Sequence, residues 1–252
     1  MSDEAVLLVD LGNTRLKWAV LRDGRLGQVT AVPHAADGSD APALTAWEQL
    51  AVPLRVLVGS VAGPECDRAL TAHSRRLWNL EPRFVRARAE ALGVTNGYDS
   101  PERLGVDRWL ALLAAHADGR GAACVVDCGT AVTIDVLDDA GRHRGGLIVP
   151  GLQLMGECLR TRTRIPPFAM PAARPELGRE TGAAIANGAL LAVVGAVRET
   201  RILAQRILGG TPRLVVAGGA GDAVAAALAE PSERRPDLVL EGLAALARLG
   251  DE

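Results

Sequence analysis

Residues 6–20 read VLLVDLGNTRLKWAV, and residues 124–136 read CVVDCGTAVTIDV. Each stretch is an apolar run that ends in aspartate, followed by a turn with glycine and threonine and then a second β-prone run. Asp10 and Asp127 occupy equivalent positions in the two stretches. Such a turn brings backbone N–H groups and a hydroxyl close to an anion, while the carboxylate holds a cation or water. Two such hairpins facing each other would clamp a nucleoside triphosphate.

The order of predicted elements also repeats. In each half, three strands are followed by a helix, a strand and a further helix. The second half is predicted to contain a long helix over 181–208, a helix over 220–229, a short strand at DLVL (237–240) and a terminal helix. Mixed strands with helices covering both faces predict an α/β fold. We expect two domains, residues 1–118 and 119–252.

Composition excludes several classes of function. The chain has 252 residues, of which 48% are apolar and 23% charged, and its formal net charge is −2, so no basic field favours nucleic acid. We predict no membrane association, since we expect no apolar segment to reach the ~18 residues of a membrane span. The start MSDEAVLLVD lacks a basic region and a cleavage site, so the expected compartment is the cytoplasm.

The four cysteines form no C-x-x-C pair, and the four histidines form no cluster. Cys124 and Cys128 lie four residues apart on a predicted strand and therefore on one face. We predict small buried thiols in a reducing compartment rather than a disulfide or a structural zinc site.

The first hairpin has the residue types of a phosphate-binding turn. Gly12 allows close backbone approach and Asn13 tolerates the same conformation. Thr14 offers a hydroxyl, and Lys17 offers a compact positive charge suited to phosphate oxygens. Alternation puts Arg15 and Lys17 on one face of the second strand. A plain hairpin with a polar outer face is the alternative.

The second hairpin puts Asp127 at the end of a buried strand, where an unpaired carboxylate is costly. A bound cation would compensate for the charge, and a salt bridge to an arginine is the alternative. Later, Gly218–Gly219–Ala220–Gly221 follows a predicted strand and opens a helix, which suits a nucleotide phosphate or ribose. It is not a G-x-G-x-x-G sequence, so a dinucleotide fold is disfavoured.

A third candidate is the stretch GVDR, residues 105–108, at the start of an amphipathic helix. Asp107 would be favoured there by the helix dipole alone. Arg108 could pair with it, or could bind a carboxylate or phosphate of a substrate in a bidentate manner.

Six stretches together resemble the type III pantothenate kinases, a branch of the superfamily of acetate and sugar kinases, heat-shock chaperone ATPases and actin. The resemblance spans nearly the whole chain, and the stretches occur in the expected order. They are DLGNTRLKWAV (10–20), GYDSPERLGVDRWLAL (97–112), DCGTAVTIDV (127–136), GGLIVPGLQLM (145–155), TGAAIANGAL (181–190) and VVAGGAGDAV (215–224). The resemblance implies duplicated ribonuclease H-like, actin-like ATPase domains with mixed sheets and flanking helices.

The same resemblance implies ATP-dependent phosphorylation of pantothenate to 4′-phosphopantothenate. Asp107 would be the general base and Asp127 would coordinate a monovalent cation, potassium or ammonium, with Mg²⁺ bound to ATP. The residues implied to hold the ATP phosphates are Asp10, Leu11, Gly12, Asn13, Thr14, Arg15, Leu16, Lys17 and Thr130. Those implied to line the pantothenate pocket are Tyr98, Gly105, Val106, Asp107, Arg108 and Thr181.

Members of this family are homodimers, so the resemblance implies that this chain also forms a homodimer. The small-residue-rich helix from Thr181 to Leu208 could pack against a second copy, although core packing within one subunit would give the same composition. Two other functions stay open: another small-molecule kinase or phosphatase of the superfamily, and a transcriptional accessory factor with a kinase-like fold. The segment 161–179 receives no predicted role.

Overall fold

A computed structural model describes residues 5–34 and 45–249 of the chain. They form two compact units. The first contains the residues up to Asp118 together with those from Asp237 onward, and the second contains Gly119–Pro236.

The first unit is a mixed sheet with helices on its faces. Its strands are β1 (Val6–Leu11), β2 (Arg15–Arg22), β3 (Arg25–Leu26), β4 (Thr30–Pro33), β5 (Arg55–Ser60) and β6 (Arg83–Phe84), with a separate hairpin of β7 (Glu90–Ala91) and β8 (Val94–Thr95). Its helices are α1 (Pro64–Trp78), α2 (Val106–His116) and the C-terminal α6 (Leu238–Arg248), with short 3-10 turns at Ala46–Gln49 and Pro101–Arg103.

The sheet runs β3-β2-β1-β5-β6, with β4 also paired to β2. Strand β1 is antiparallel to β2 and parallel to β5. Alternate residues of β1 face opposite sides, because successive side chains of a strand do so. One side is an apolar core with Leu7, Val9 and Leu11, in which Trp47 stacks on Trp78 at 5.7 Å between ring centroids. Helices α2 and α6 contact the sheet and each other.

The second unit repeats the same plan. Its strands are β9 (Ala123–Cys128), β10 (Ala131–Leu137), β11 (His143–Pro150), β12 (Arg213–Ala217) and β13 (Glu233–Arg234), and its helices are α3 (Leu152–Arg162), α4 (Thr181–Leu208) and α5 (Gly221–Leu228). The sheet order is β11-β10-β9-β12-β13. Strand β9 is antiparallel to β10 and parallel to β12, as β1 is to β2 and β5.

Cys124, Val126 and Cys128 point to one side of the second sheet, into an apolar core completed by α4 and α5. The prediction that Cys124 and Cys128 share a buried face is therefore confirmed. Cys66 is also buried, whereas Cys158 is exposed. The predicted α/β class and mixed sheets are confirmed by the two repeated sheets.

The C-terminal segment differs from its prediction in two ways. The stretch DLVL is not a strand, because residues from Leu238 begin α6. Helix α6 also groups with the first unit rather than the second, because its apolar face packs on α2 and β1. The expectation of a second domain running from 119 to the C-terminus is corrected accordingly.

Helix α4 is long and apolar enough to cross a membrane, judged by length and composition alone. This corrects the expectation that no segment reaches that length. The core helix of a globular protein passes the same test, and ten residues of α4, among them Leu190, Val193 and Val197, are buried in the second unit. One such helix is weak support for a membrane span.

Candidate active site

The carboxylate of Asp10 lies on the side of the first sheet that faces α2 and α6. Asp10 pairs in register with Gly59 on parallel β5, and neighbouring residues of parallel strands point to the same side. A methyl group at Gly59 would lie 2.7 Å from Cδ1 of Leu110 in α2 and 4.0 Å from Cγ1 of Val239 in α6. Asp10 therefore points away from the apolar core of Leu7, Val9 and Leu11.

The turn after Asp10 is a tight hairpin. The Gly12 N–H donates to the Arg15 carbonyl at 3.0 Å, and a methyl group at Gly12 would lie 3.2 Å from that oxygen. Asn13, Thr14 and Arg15 are exposed at this end of the sheet. Leu11 and Leu16, which the resemblance included among the phosphate contacts, are a buried register pair in the apolar core. Only their backbone groups could contact a phosphate.

Lys17 is the register partner of Asp10 and shares its side of the sheet. Its Nζ lies 3.4 Å from Oδ1 of Asp237, the residue that precedes α6. Both side chains are largely shielded from solvent, with 19% and 28% of their surfaces exposed. The ion pair orients the one lysine of the hairpin. Asp237 was not predicted as a site residue, because the stretch DLVL was predicted to be a strand.

The first turn of α2 brings Asp107 to the same side of the sheet. Asp107 precedes Leu110 by three residues, which puts both on one helix face, and Leu110 packs over Gly59 beside Asp10. Helix α6 fixes α2 in this place, because a methyl group at Gly242 would lie 2.7 Å from the Leu110 carbonyl carbon. The two helix backbones are thus in direct contact.

The Asp107 carboxylate is half-buried, and its Oδ1 accepts a hydrogen bond from the Arg108 N–H at 2.8 Å. A methyl group at Gly105 would lie 2.6 Å from the same oxygen, so the residue before the helix must be small. The carboxylate therefore binds a backbone N–H of the first turn, as the dipole interpretation predicted. Its second oxygen has the chemistry of a proton acceptor.

Arg108 contacts Tyr98 in two ways. Its Nη1 donates to the Tyr98 hydroxyl oxygen at 2.6 Å, and its Cζ lies 5.5 Å from the centre of the tyrosine ring. Arg108 is only 5% exposed, whereas Tyr98 is half-buried. Because the hydroxyl oxygen accepts from the guanidinium, its proton can be donated to a ligand. The predicted residues Tyr98, Asp107 and Arg108 are thus brought together.

A buried asparagine organises the loop that holds Tyr98. Asn96 is 8% exposed, and its Oδ1 accepts from the Tyr98 N–H at 3.0 Å. Its Nδ2 donates to the carbonyls of Arg88 at 3.1 Å and Pro101 at 3.0 Å. We call these three hydrogen bonds the Asn96 staple.

In the second unit, Asp127 lies against the glycine-rich turn that follows β12. A methyl group at Gly218 would clash with Oδ1 of Asp127 and would lie 2.6 Å from the Cys128 carbonyl. Carboxylate and carbonyl oxygens are the donors that alkali and alkaline-earth cations prefer. The residues present therefore fit the predicted cation.

The hairpin turn next to Asp127 is closed by backbone contacts. The Gly129 N–H donates to the Ala131 carbonyl at 3.0 Å, and the Gly151 N–H donates to the Thr130 carbonyl at 2.9 Å. Gly129 and Thr130 are exposed, so the predicted Thr130 hydroxyl is accessible. This turn has two residues between its strands, whereas the first hairpin has three.

Arg234 on β13 holds the glycine-rich turn. Its guanidinium donates to the carbonyl of Val216, to the carbonyl of Gly218 at 3.4 Å and to the carboxylate of Asp222 at 2.6 Å. The pKa of the neighbouring Cys128 thiol is raised to about 12, mainly by burial and also by the negative charge of Asp127, while the positive charge of Arg234 opposes the shift. Cys128 is therefore a neutral thiol, and the role of Arg234 was not predicted from the sequence.

Thr181 is the exposed first residue of α4, in the second unit. The segment before it, for which no role was predicted, is held by buried Asn187 of α4. The Asn187 Oδ1 accepts from the Arg174 N–H at 2.8 Å, and its Nδ2 donates to the Glu176 carbonyl at 3.0 Å. A cavity of about 540 Å³ elsewhere, lined partly by Leu7, Val20 and Arg22, includes none of the predicted site residues.

Comparison with known proteins identifies the family. The model of the type III pantothenate kinase family matches residues 6–203. The chain is 37% identical to the type III pantothenate kinase of Nitrosococcus oceani over 249 residues, which cover 96% of this chain and 94% of that protein. It is 40% identical to the type III pantothenate kinase of Halorhodospira halophila over 252 residues, which cover 94% and 95%.

Solved structures support the fold alone, because their sequences are less than 25% identical. A Campylobacter jejuni protein named as a Baf family transcriptional activator aligns over 96% of this chain and 98% of its own, with a TM-score of 0.61 and 17% identity. The polyphosphate/ATP-glucomannokinase of an Arthrobacter strain aligns over 98% and 99%, with a TM-score of 0.51 and 13% identity. The predicted actin-like ATPase class of fold is confirmed by such neighbours.

Proposed function

The chain belongs to the type III pantothenate kinase family, and we propose that it transfers the γ-phosphoryl group of ATP to the primary hydroxyl of pantothenate. The product is 4′-phosphopantothenate, and the reaction is the first step of coenzyme A biosynthesis. The observation that supports this most strongly is the family match over residues 6–203, joined to an Asp107–Arg108–Tyr98 group at the start of α2.

Asp107 is the proposed general base. As the pantothenate oxygen attacks the γ-phosphorus, the bond to the ADP oxygen breaks and the hydroxyl proton passes to the Asp107 carboxylate. Asp107 needs no strongly raised pKa, because the base accepts the hydroxyl proton only late in phosphoryl transfer. Its hydrogen bond to the Arg108 N–H fixes the carboxylate orientation.

Arg108 and Tyr98 are the proposed pantothenate anchors, with Gly105 and Val106 shaping the backbone beside them. A buried guanidinium that already donates to the Tyr98 hydroxyl is held rigidly. A guanidinium held in this way can bind a carboxylate or phosphate group of a substrate. Val106 is only 7% exposed, so its side chain packs within the protein at the start of α2 rather than against the ligand. Thr181 remains a predicted contact of the same substrate.

The hairpin from Asp10 to Lys17 is the proposed binding segment for the ATP phosphates, and Thr130 offers a hydroxyl from the second hairpin. The support is the exposed Gly12–Thr14 turn and the oriented Lys17 ammonium. Mg²⁺ bound with ATP and a monovalent cation, potassium or ammonium, supply positive charge that offsets the phosphate charge when they are bound. Asp127 would hold the monovalent cation.

We further propose a cytoplasmic homodimer. The cysteines are free thiols, which suits a reducing compartment. The exposed face of α4 includes Leu191 at 40% and Ile202 at 44%, and the outer strand β11 exposes Ile148 at 61%. Large exposed apolar side chains grouped on one unit favour contact with another protein surface.

The direct test is to incubate the enzyme with Mg-ATP and pantothenate, and in parallel with a hexose or acetate, in K⁺ or Na⁺ buffer. Mass spectrometry identifies the product. We expect 4′-phosphopantothenate from pantothenate and higher turnover in K⁺. Phosphorylation of a sugar or acetate instead of pantothenate would support another kinase of the superfamily, and no transfer to any acceptor would contradict a kinase function.

A further inference from the structure

We infer that Asn96 is a positioning residue of the phosphoryl-acceptor site, because its staple holds both Tyr98 and the turn that leads into the helix of the base. The inference rests on the proposed function. All three hydrogen bonds of the staple join the Asn96 side-chain amide to backbone groups, and none is longer than 3.1 Å. No contact between Asn96 and substrate is required.

The upstream end of the staple is the small hairpin of β7 and β8. The Asn96 N–H donates to the Ala89 carbonyl at 2.8 Å, which extends the hairpin by one bond. The Asn96 Nδ2 then donates to the Arg88 carbonyl, one residue earlier. Asn96 is thereby tied by backbone and side chain to a regular element, which gives it a defined position.

The downstream end controls Tyr98 and α2. The Oδ1 of Asn96 accepts from the N–H two residues later, an Asx-turn that sets the direction of the Tyr98 backbone. The second Nδ2 hydrogen bond reaches the Pro101 carbonyl at the start of the 3-10 turn Pro101–Arg103. That turn is separated from the first residue of α2 by Leu104 and Gly105 alone.

Loss of the staple would therefore affect the acceptor site through two other residues, Tyr98 and Arg108. The Tyr98 hydroxyl would no longer be fixed as the acceptor of the Arg108 hydrogen bond. The Tyr98 N–H and the carbonyls of Arg88 and Pro101 would also lose their hydrogen-bond partner, and misplacement of about 1 Å can lower turnover about 10²-fold. The effect should fall on the acceptor substrate, because the ATP hairpin is a different part of the unit.

Two variants separate the roles of the amide. Asn96→Ala removes all three hydrogen bonds. Asn96→Asp keeps the acceptor for the Tyr98 N–H, but it puts a carboxylate against the carbonyl oxygens of Arg88 and Pro101. Ser74→Ala is the matched control, because Ser74 of α1 is fully buried in the same unit and donates to the carbonyl of Leu80, just after the end of that helix, at 3.0 Å.

The chain has one tyrosine, so ¹⁵N-tyrosine labelling gives a single amide signal that reports on Tyr98. In Asn96→Ala we expect this signal to shift and its hydrogen exchange to accelerate, and kcat/KM for pantothenate to fall about 10²-fold while KM for ATP changes less than about twofold. Asn96→Asp should retain the exchange protection of Tyr98 and still lose kcat/KM. Ser74→Ala should lower thermal stability only.

Wild-type kcat/KM in folded Asn96→Ala would overturn the inference, and so would an equal loss in Ser74→Ala or an unchanged Tyr98 signal. If Asn96→Ala does not fold, Asn96→Asp decides by kcat/KM alone, and a wild-type value for pantothenate in that variant would overturn the inference. A wild-type enzyme that fails to phosphorylate pantothenate would refute the proposed function instead, and the Tyr98 signal would still show whether the staple exists.

Discussion

Gly218 lies beside the Asp127 carboxylate with a φ of +76°, a conformation that L side chains rarely adopt. We expect Gly218→Ala to lower the free energy of unfolding by about 1–3 kcal/mol, because its methyl group meets both Asp127 Oδ1 and the Cys128 carbonyl. We also expect it to raise the K⁺ concentration needed for half-maximal activity. Urea unfolding and a K⁺ titration of activity measure the two effects.

The neighbouring residue provides the control. A methyl group at Gly219 meets no atom within 4 Å, so Gly219→Ala should change the free energy of unfolding by less than about 0.5 kcal/mol. Equal losses in the two variants would contradict a specific contact between Gly218 and the Asp127 carboxylate.

At the scale of single residues, the sequence was sufficient to predict the motifs whose structure depends on residues close together in the chain. The hairpin of Asp10 and the Asp107–Arg108 pair at the start of α2 were found from strand periodicity and helix-start preferences. Asp237 and Arg234 were missed because their partners are backbone carbonyls or residues distant in sequence, such as Lys17, 220 positions from Asp237. No local pattern predicts such contacts.

Among the elements, the contact between α2 and α6 controls the position of Asp107. We expect Gly242→Ala to lower the free energy of unfolding by about 1–3 kcal/mol, since its methyl group would overlap the Leu110 carbonyl. It should also reduce kcat, because α2 must shift. Chemical unfolding and steady-state kinetics measure both, and Gly210→Ala, whose methyl group meets nothing within 4 Å, is the control. An unchanged free energy of unfolding in Gly242→Ala would contradict a close contact between the backbones of α2 and α6.

Most elements were predictable because their apolar periodicity is strong, and the long helix α4 has the predicted bounds, Thr181–Leu208. The error at DLVL arose because four apolar-rich residues fit a buried strand as well as a helix start. Packing of Gly242 on Leu110 selects the helix. The true strand, Glu233–Arg234, is short and charged, so hydrophobicity could not reveal it.

For the whole molecule, assembly through α4 is testable without an activity measurement. We expect Leu191→Asp to convert a dimer to a monomer in size-exclusion chromatography with light scattering, because a carboxylate would be buried in the interface. Val52→Asp introduces the same charge at an apolar side chain of the other unit that is more exposed, 67% against 40% for Leu191, and it should leave the mass unchanged. A wild-type monomer would remove the dimer from the proposal.

The most direct measurement is single-turnover phosphorylation of pantothenate by wild type and by Asp107→Asn, with Mg-ATP and K⁺ at saturation. We expect the variant to bind both substrates but to form 4′-phosphopantothenate about 10²-fold more slowly or worse, because the hydroxyl proton has no acceptor. A folded Asp107→Asn enzyme that forms the product at the wild-type rate would contradict the assignment of Asp107 as the base.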